Sequence, residues 1–199
     1  MRIKFFIKSS TVSIDKYNIK DISGSSGRLD VISRAILSAV LNNNKLEKNV
    51  EIWVFLDNYG TFIFDSNKFN NDTFPKTEIM FSDYFVNFIL QKSTPNLLND
   101  NPLKGINWVN LNILDALKSF IEKNYQIFVL NEKANDFFQY FSDLKNEINV
   151  LFIIGDQTGK LIQSQKLLDL NLTNISLGTQ SYLASSVIRL IKLNLRLII

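Results

Sequence analysis

Three charged side chains, close together in the sequence, are the first candidates for chemistry. Arg28 lies two residues before Asp30, and Arg34 follows Asp30 by one turn of a predicted helix, so two cations surround one carboxylate. The carboxylate could accept or polarise a proton, and the guanidinium groups could bind phosphate or stabilise developing negative charge. The same pattern is equally typical of a structural ion pair at a helix start, which contributes little stability when it is exposed.

Two missing residue types restrict the chemistry further. The 199-residue chain contains no histidine and no cysteine. Disulfides, thiolate or imidazole metal sites, cysteine nucleophiles and Ser-His-Asp triads are therefore excluded. We expect no metal, and any proton transfer must use Asp, Glu, Lys, Tyr or water.

Two glycine-bearing loops are candidates for binding a small molecule. Gly155-Asp156 and Ile175-Ser176-Leu177-Gly178 each stand where an apolar strand ends. In open α/β sheets, ligands bind at the carboxyl ends of the strands, so the two loops together could enclose a cofactor. The segment 155–160 does not match a nucleotide-binding P-loop, because three residues rather than four separate its glycines and Leu161 replaces the required hydroxyl. The alternative is that both glycines merely end strands.

The elements that must position these residues follow from hydrophobic periodicity. A chain with 46% apolar and 21% charged residues fits one soluble domain, 1–199, with a sizeable core. The pattern predicts an α/β fold, locally antiparallel in its first half and with parallel strands covered on both faces in its second half. Strands are predicted at 3–7, Glu51–Leu56, Thr61–Phe64, Thr77–Phe81, Ile106–Val109, Tyr125–Leu130 and Asn149–Ile154, and helices at Asp30–Asn43, Ser82–Gln91, Asn112–Lys123 and Ala134–Leu144.

Charge and hydropathy bear on partners and location. The net charge is only +3, with a sequence pI of about 9.0, so a nucleic-acid partner is permitted but not demanded. Neither the start of the chain nor the segment Val187–Ile199 has an apolar run long enough for a signal peptide or a membrane span. We expect a cytoplasmic protein with no membrane partner.

Several sequence blocks occur together in an order typical of one family. They are Ile7-Lys8-Ser9, Asp21-Ile22-Ser23-Gly24, Gly27-Arg28-Leu29-Asp30-Val31 with Arg34, Val50-Glu51-Ile52-Trp53-Val54, Gly105, Ile153-Ile154-Gly155-Asp156, Ile175-Ser176-Leu177-Gly178 and Leu183-Ala184-Ser185. The chain resembles, over nearly its whole length, the archaeal tRNA pseudouridine-54 N1-methyltransferases of the SPOUT superfamily. Three blocks depart from that pattern, which makes it a divergent member: Ser82-Asp83-Tyr84-Phe85 keeps only the Asp of Pro-Asp-Glu-Arg, Ser186-Val187 replaces His-Cys, and Gln157 replaces a His.

The resemblance implies a mostly parallel sheet flanked by helices, a C-terminal trefoil knot and a homodimer. It further implies S-adenosylmethionine as cofactor and methylation of N1 of pseudouridine 54 in tRNA. By position, the residues that it assigns to cofactor binding are Leu130, Gly155, Asp156, Ser176, Leu177, Gly178 and Leu183. An rRNA pseudouridine N1-methyltransferase and a non-catalytic RNA-binding or assembly protein remain as alternative functions.

Two assignments within this interpretation stay open. Asp30 either accepts the N1 proton, with Arg28 and Arg34 contacting RNA, or only positions the two arginines while the proton goes to water. In the C-terminal segment, Leu183, Val187, Ile191 and Leu195 have helical spacing. This apolar face either packs between subunits or packs within its own domain.

Overall fold

The computed structural model describes residues 1–144, 149–155 and 160–197. Its strands are β1 (Arg2–Ser9), β2 (Leu41–Asn42), β3 (Lys45–Leu46), β4 (Val50–Leu56), β5 (Gly60–Asp65), β6 (Asn107–Val109), β7 (Gln126–Asp136), β8 (Asn149–Ile154) and β9 (Thr173–Ser176). Its α-helices are α1 (Ile22–Ser25), α2 (Leu29–Val40), α3 (Glu78–Gln91), α4 (Ile113–Glu122), α5 (Phe141–Leu144), α6 (Gln165–Leu168) and α7 (Ala184–Arg196). Short 3-10 turns occupy Ser66–Lys68, Pro95–Leu98 and Phe137–Tyr140.

Seven of the strands form one sheet in the order β6-β5-β4-β1-β8-β7-β9, and β2 pairs with β3 in a separate hairpin. The five strands from β4 to β9 in that order are parallel, whereas β5 and β6 are antiparallel at one edge. The predicted α/β fold is confirmed, as is the antiparallel pairing of β4 with β5. The prediction is wrong for β6, which was expected to belong to the parallel series but pairs antiparallel with β5, and β1 and β4 of the first half are parallel to each other. The carboxyl ends of β1, β8, β7 and β9 consequently lie along the same edge of the sheet.

The sheet buries an apolar core on each face. Phe5, Phe128 and Phe152 pack on one face among residues of α2, α3 and α7, and the side chains of α4 cover Phe6 and Ile153 on the other. This two-sided burial explains the continuous apolar runs of the central strands. Within the described residues, no helix is long and apolar enough to cross a membrane.

The predicted boundary between a strand and a helix at residues 77–82 is wrong. The residues Thr77–Phe81 do not form a strand, because α3 already begins at Glu78 and the Thr77 hydroxyl accepts a hydrogen bond from the Met80 amide at 3.4 Å as its N-cap. The predicted helix Ser82–Gln91 therefore starts too late: Ser82 lies inside α3 and donates to the Ser33 hydroxyl at 2.8 Å.

The predicted helix Ala134–Leu144 is replaced over its first part by a strand. β7 continues to Asp136 because Asn135 and Asp136 pair with Ile175 and Ser176 of β9. After this pairing ends, the chain forms the 3-10 segment Phe137–Tyr140 and then the short helix α5. A contact between residues about 40 positions apart in the sequence thus overrides the local helical pattern.

α7 is fixed along α2 by its apolar face and a buried lysine. Ile191 and Leu195 are fully buried in the core, so this part of the predicted face packs within its own domain. The Lys192 ammonium donates to the carbonyls of Ser38 and Ala39, at 2.9 and 2.7 Å, where it complements the negative end of the α2 dipole. It also pairs with Glu47 at 2.7 Å. The start of α7 therefore lies beside the start of α2, at the edge where the strands end.

Candidate functional site

A cavity of about 770 Å³ lies at the edge where the carboxyl ends of β1, β8, β7 and β9 meet. Its walls also include the first turns of α2 and α7. Seven of the residues singled out in the sequence line it together: Arg28, Leu130, Gly155, Ser176, Leu177, Gly178 and Leu183. Asp156 lies outside the described residues. Cavities of this size accommodate a ligand as large as a nucleoside derivative.

One wall of the cavity is a bulge in β7. Leu130 and Asn135 both pair with Ile175 of β9, so the four residues 131–134 between them leave the ladder. Asn131 and Glu132, which belong to this bulge, line the cavity. The Asn131 side chain holds the bulge by donating to the Asn174 amide oxygen at 3.4 Å and accepting from the Lys133 amide at 3.0 Å.

The adjoining wall is the loop that leaves β9, which Ser176 organises. The buried Ser176 hydroxyl accepts a hydrogen bond from the Gly178 amide at 3.1 Å. Its oxygen lies 2.9 Å from the Gly178 carbonyl and 3.3 Å from the Glu132 carbonyl, so it connects this loop to the β7 bulge. Gly178 has a φ of +122°, a backbone conformation that residues other than glycine rarely adopt. The residue types at 176 and 178 are therefore set by the shape of the cavity wall.

The charged cluster predicted from the sequence is formed at the start of α2. Arg28 binds Asp30 through two hydrogen bonds, Nε to Oδ1 at 3.0 Å and Nη2 to Oδ2 at 3.2 Å. Arg34 Nη2 donates to Asp30 Oδ2 at 2.6 Å, and Arg34 Nε lies 3.2 Å from Glu78. The Asp30 side chain is 7% exposed, whereas those of Arg28 and Arg34 are 51% and 36% exposed. The carboxylate is thus buried beneath two accessible guanidinium groups.

The environment of Asp30 keeps its carboxylate ionised. Burial alone would raise the pKa of Asp30, but the hydrogen bonds and positive charges of Arg28 and Arg34 outweigh it and lower that pKa. A carboxylate with a lowered pKa is a weaker proton acceptor. Both of its oxygens are also already bonded to guanidinium groups.

Of the three charged residues, only Arg28 lines the cavity. Its backbone is in the left-handed region, with a φ of 72°, which is unusual for a side chain of this size and typical of functional sites. Lys8, at the end of β1, lies on the same side of the cavity and pairs with Asp57 at 3.1 Å. Two cations therefore stand at the β1 end of the cavity.

The sequence interpretation missed several lining residues. Asn131, Glu132, Gln180, Ser181 and Tyr182 all border the cavity. Asn131 and Glu132 could have been found by the rule that identified Gly155, because they directly follow the apolar part of a parallel strand. The others lie in the irregular loop before α7, for which the sequence carries no comparable signal. No group of three or more acidic side chains that could hold a metal ion occurs among the described residues.

A parallel sheet with a ligand-sized cavity at its carboxyl edge is the arrangement in which α/β proteins bind small molecules. The chain belongs to the family described as "Putative SAM-dependent RNA methyltransferase", which matches residues 1–197. The resemblance identified from the sequence is thereby confirmed.

Individual relatives agree with this membership. The chain is 27% identical to the tRNA (pseudouridine(54)-N(1))-methyltransferase of Pyrococcus abyssi, over 98% of this chain and 97% of the relative. The proteins of the same name from Thermococcus onnurineus and Methanococcus maripaludis are 27% and 28% identical, over 86% and 78% of this chain and 85% and 78% of their own lengths. The crystal structure of Archaeoglobus fulgidus Nep1 bound to S-adenosylhomocysteine shares the fold, with a TM-score of 0.60 and 14% identity over 100% of this chain and 99% of that chain.

The described cavity residues fit S-adenosylmethionine, the cofactor of the family. Leu130, Leu177 and Leu183 supply apolar surface for a flat base. The loops at Gly155 and Gly178 bring backbone groups to the cavity without intervening side chains. Carboxylate, amide and cationic side chains among the lining residues offer partners for hydroxyl, amino and carboxylate groups.

Proposed function

We propose that this chain transfers a methyl group from S-adenosylmethionine to N1 of pseudouridine 54 in tRNA. The observation that carries the proposal is the placement of Arg28, which belongs both to the cavity wall and to the exposed arginine pair above Asp30. An anionic RNA held by these arginines would have its base beside the cofactor cavity. The shared name of the Pyrococcus, Thermococcus and Methanococcus relatives supports the same substrate.

The reaction forms a bond from N1 of the base to the methyl carbon, breaks the bond from that carbon to sulfur, and releases the N1 proton. When bound, S-adenosylmethionine supplies the electrophilic methyl group. Arg28 orients the RNA and stabilises negative charge that develops on the base as the proton leaves. In the same proposal, the residues that bind the cofactor are Leu130, Gly155, Asp156, Ser176, Leu177, Gly178 and Leu183.

The geometry favours Asp30 as a positioning residue rather than the proton acceptor. Its carboxylate oxygens accept three hydrogen bonds from Arg28 and Arg34, and its side chain does not line the cavity. Its lowered pKa further reduces its basicity. In our proposal Asp30 fixes the two guanidinium groups, and the N1 proton passes to water.

A direct test uses tRNA transcripts that differ only at position 54. We expect methyl transfer to a transcript with pseudouridine 54 and none to the transcript with uridine 54, because N1 of uridine is bonded to the ribose. Incorporation of labelled methyl groups, followed by mass spectrometry of the nucleosides, measures both. Methylation of a pseudouridine-containing rRNA fragment in preference to the tRNA would assign the enzyme to rRNA. RNA binding without any transfer would indicate a non-catalytic RNA-binding protein.

The path of the chain beyond β8 supports a trefoil knot as the finer description of the fold. After β8 the chain crosses to the far side of β7, where it forms β9. It then returns to place α7 along α2. Threading of this last segment through the preceding loop would bring the Gly155 and Gly178 loops together. An enzyme of this proposed activity would act on tRNA in the cytoplasm.

The proposed enzyme is a homodimer whose subunits meet through the outer face of α7. Leu193 on α7 and Leu197, the C-cap of this helix, are 54% and 72% exposed, while the inner face of α7 is buried in the subunit's own core. We expect light scattering to give twice the chain mass, and Leu193→Asp combined with Leu197→Asp to give a monomer. Ile121→Asp, at another partly exposed apolar position on α4, should remain dimeric. A wild-type monomer at micromolar concentration that methylates tRNA would contradict the dimer.

A further inference from the structure

The charged groups of the cavity are distributed unevenly. Lys8 and Arg28 lie at the end formed by β1 and α2, whereas Glu132 lies on the bulge of β7. β8 separates β1 from β7, so the two ends are about 10 Å apart at a strand spacing of about 4.8 Å. Glu132 is the only carboxylate among the described lining residues. Among the described lining residues, the cationic side chains therefore lie at one end of the cavity and the carboxylate at the other.

The backbone of Glu132 is fixed while its carboxylate remains available. Its carbonyl lies 3.3 Å from the Ser176 hydroxyl, and the neighbouring Asn131 side chain is bonded to Asn174. The side chain of Glu132 is exposed, and no cation of the described chain pairs with it. Glu132 lines the cavity, and a carboxylate that no described cation pairs with is suited to accept hydrogen bonds from a ligand bound there.

The neighbours of Glu132 indicate which part of the cofactor it would meet. Leu130 and Leu177 form an apolar surface beside it, which suits the flat adenine ring. The ribose is attached directly to adenine, so its two hydroxyls fall next to this surface. The amino acid end of the cofactor carries a carboxylate, for which Lys8 and Arg28 are the cationic partners among the described lining residues. A carboxylate side chain accepts hydrogen bonds from a ribose diol in other nucleotide-binding sites.

We propose that Glu132 is a specificity residue for the cofactor, whose carboxylate accepts hydrogen bonds from the ribose hydroxyls of S-adenosylmethionine; this rests on the cofactor of the proposed function but not on its RNA substrate. Because one carboxylate bonds to both hydroxyls, the site would discriminate ribose from deoxyribose. The nearby base surface would bind adenine in either case.

The test is a thermodynamic cycle of binding constants, in which the Glu132 carboxylate and the ribose 2′-hydroxyl are removed separately and together. Calorimetry measures the Kd of S-adenosylhomocysteine and of its 2′-deoxyribose analogue, for the wild-type chain and for Glu132→Ala. We expect each single change to weaken binding by about tenfold or more, the effect typical of a hydrogen bond to a charged group. The double change should be no weaker than the worse single change, because both remove the same interaction. Glu122→Gln, at an exposed position on α4, serves as the charge control.

Three other results would overturn the proposal. Multiplicative losses in the cycle would show that Glu132 and the hydroxyl act independently. An unchanged Kd for Glu132→Ala would remove Glu132 from the site. A loss for S-adenosylhomocysteine but none for 5′-methylthioadenosine, which lacks the amino acid end, would assign Glu132 to the ammonium group instead. Since all readouts are binding constants without RNA, a chain that methylates some other RNA would leave the inference intact.

Discussion

Replacing Gly178 by alanine should weaken the binding of S-adenosylhomocysteine by about 10- to 100-fold. The reason is conformational rather than steric: a Cβ at position 178 would meet no atom closer than the Tyr182 hydroxyl oxygen at 3.8 Å. The φ of +122° is strongly disfavoured for alanine, and such strain amounts to about 1–3 kcal/mol. The loop would relax to another conformation. This would break the hydrogen bond from the Gly178 amide to the Ser176 hydroxyl and move the cavity wall.

Gly60→Ala provides the matched control for this substitution. Gly60, at the start of β5, also has a positive φ, of +95°, but it does not line the cavity. We expect the Gly60 variant to lose stability in thermal unfolding while keeping its affinity for S-adenosylhomocysteine. Calorimetric titration of both variants measures the comparison. Equal affinities of the Gly178 variant and the wild-type chain would remove this loop from the cofactor site.

The parallel core and the position of the cavity were predictable from the sequence. The run 149–154 is apolar on both faces, which requires cover on both sides and hence a parallel central strand; the structure has β8 with these same bounds. Once parallel strands are assigned, their carboxyl ends must meet at one edge. Gly155 and Gly178 could therefore be placed near each other without knowledge of any contact.

The bulge in β7 could not be predicted from the sequence, because it depends on contacts between residues that are far apart in the chain. The bulge at 131–134 exists because Leu130 and Asn135 share Ile175 as their partner, and no local pattern encodes such a shared pairing. The local pattern of residues 134–144 resembles a helix, so the continuation of β7 to Asp136 was not predicted. The start of α3 was missed for a different reason: Phe81, Phe85 and Phe88 have helical spacing, but the residues before Phe81 also fit a short strand.

The arginine cluster shows how geometry can narrow an assignment that sequence leaves open. The sequence placed Asp30 between two cations and allowed it to be either a base or an anchor. The structure shows the carboxylate buried and bonded to both guanidinium groups. It also shows that Arg28 alone reaches the cavity. An anchor beneath accessible arginines is the role that these contacts support.

Asp30→Asn should therefore reduce kcat/KM for tRNA by about 10- to 100-fold, the range expected when hydrogen bonds to a charged group are lost. The affinity for S-adenosylhomocysteine should remain near that of the wild type, because Asp30 does not line the cavity. Arg28→Ala should lower kcat/KM at least as much. Glu78→Gln is the control, since it removes a carboxylate from Arg34 but leaves the Arg28–Asp30 pair intact. Steady-state kinetics over a tRNA series measures all three variants.

The pH dependence of stability tests the ion pairs of Asp30, and the turnover of Asp30→Asn distinguishes an anchor from a base. The pKa of Asp30 is lowered in the folded state, so its ionisation stabilises the fold above its ordinary value of about 3.9, and this contribution is lost as the pH falls through the folded-state pKa. Chemical denaturation should show Asp30→Asn to be less stable than the wild type near pH 7, with the difference shrinking towards acid. If Asp30 were the proton acceptor, Asp30→Asn would abolish turnover, rather than reduce it, while leaving tRNA affinity nearly unchanged. Full turnover by Asp30→Asn would refute both roles, because neither a base nor an anchor for the arginines can be lost without a cost to the reaction.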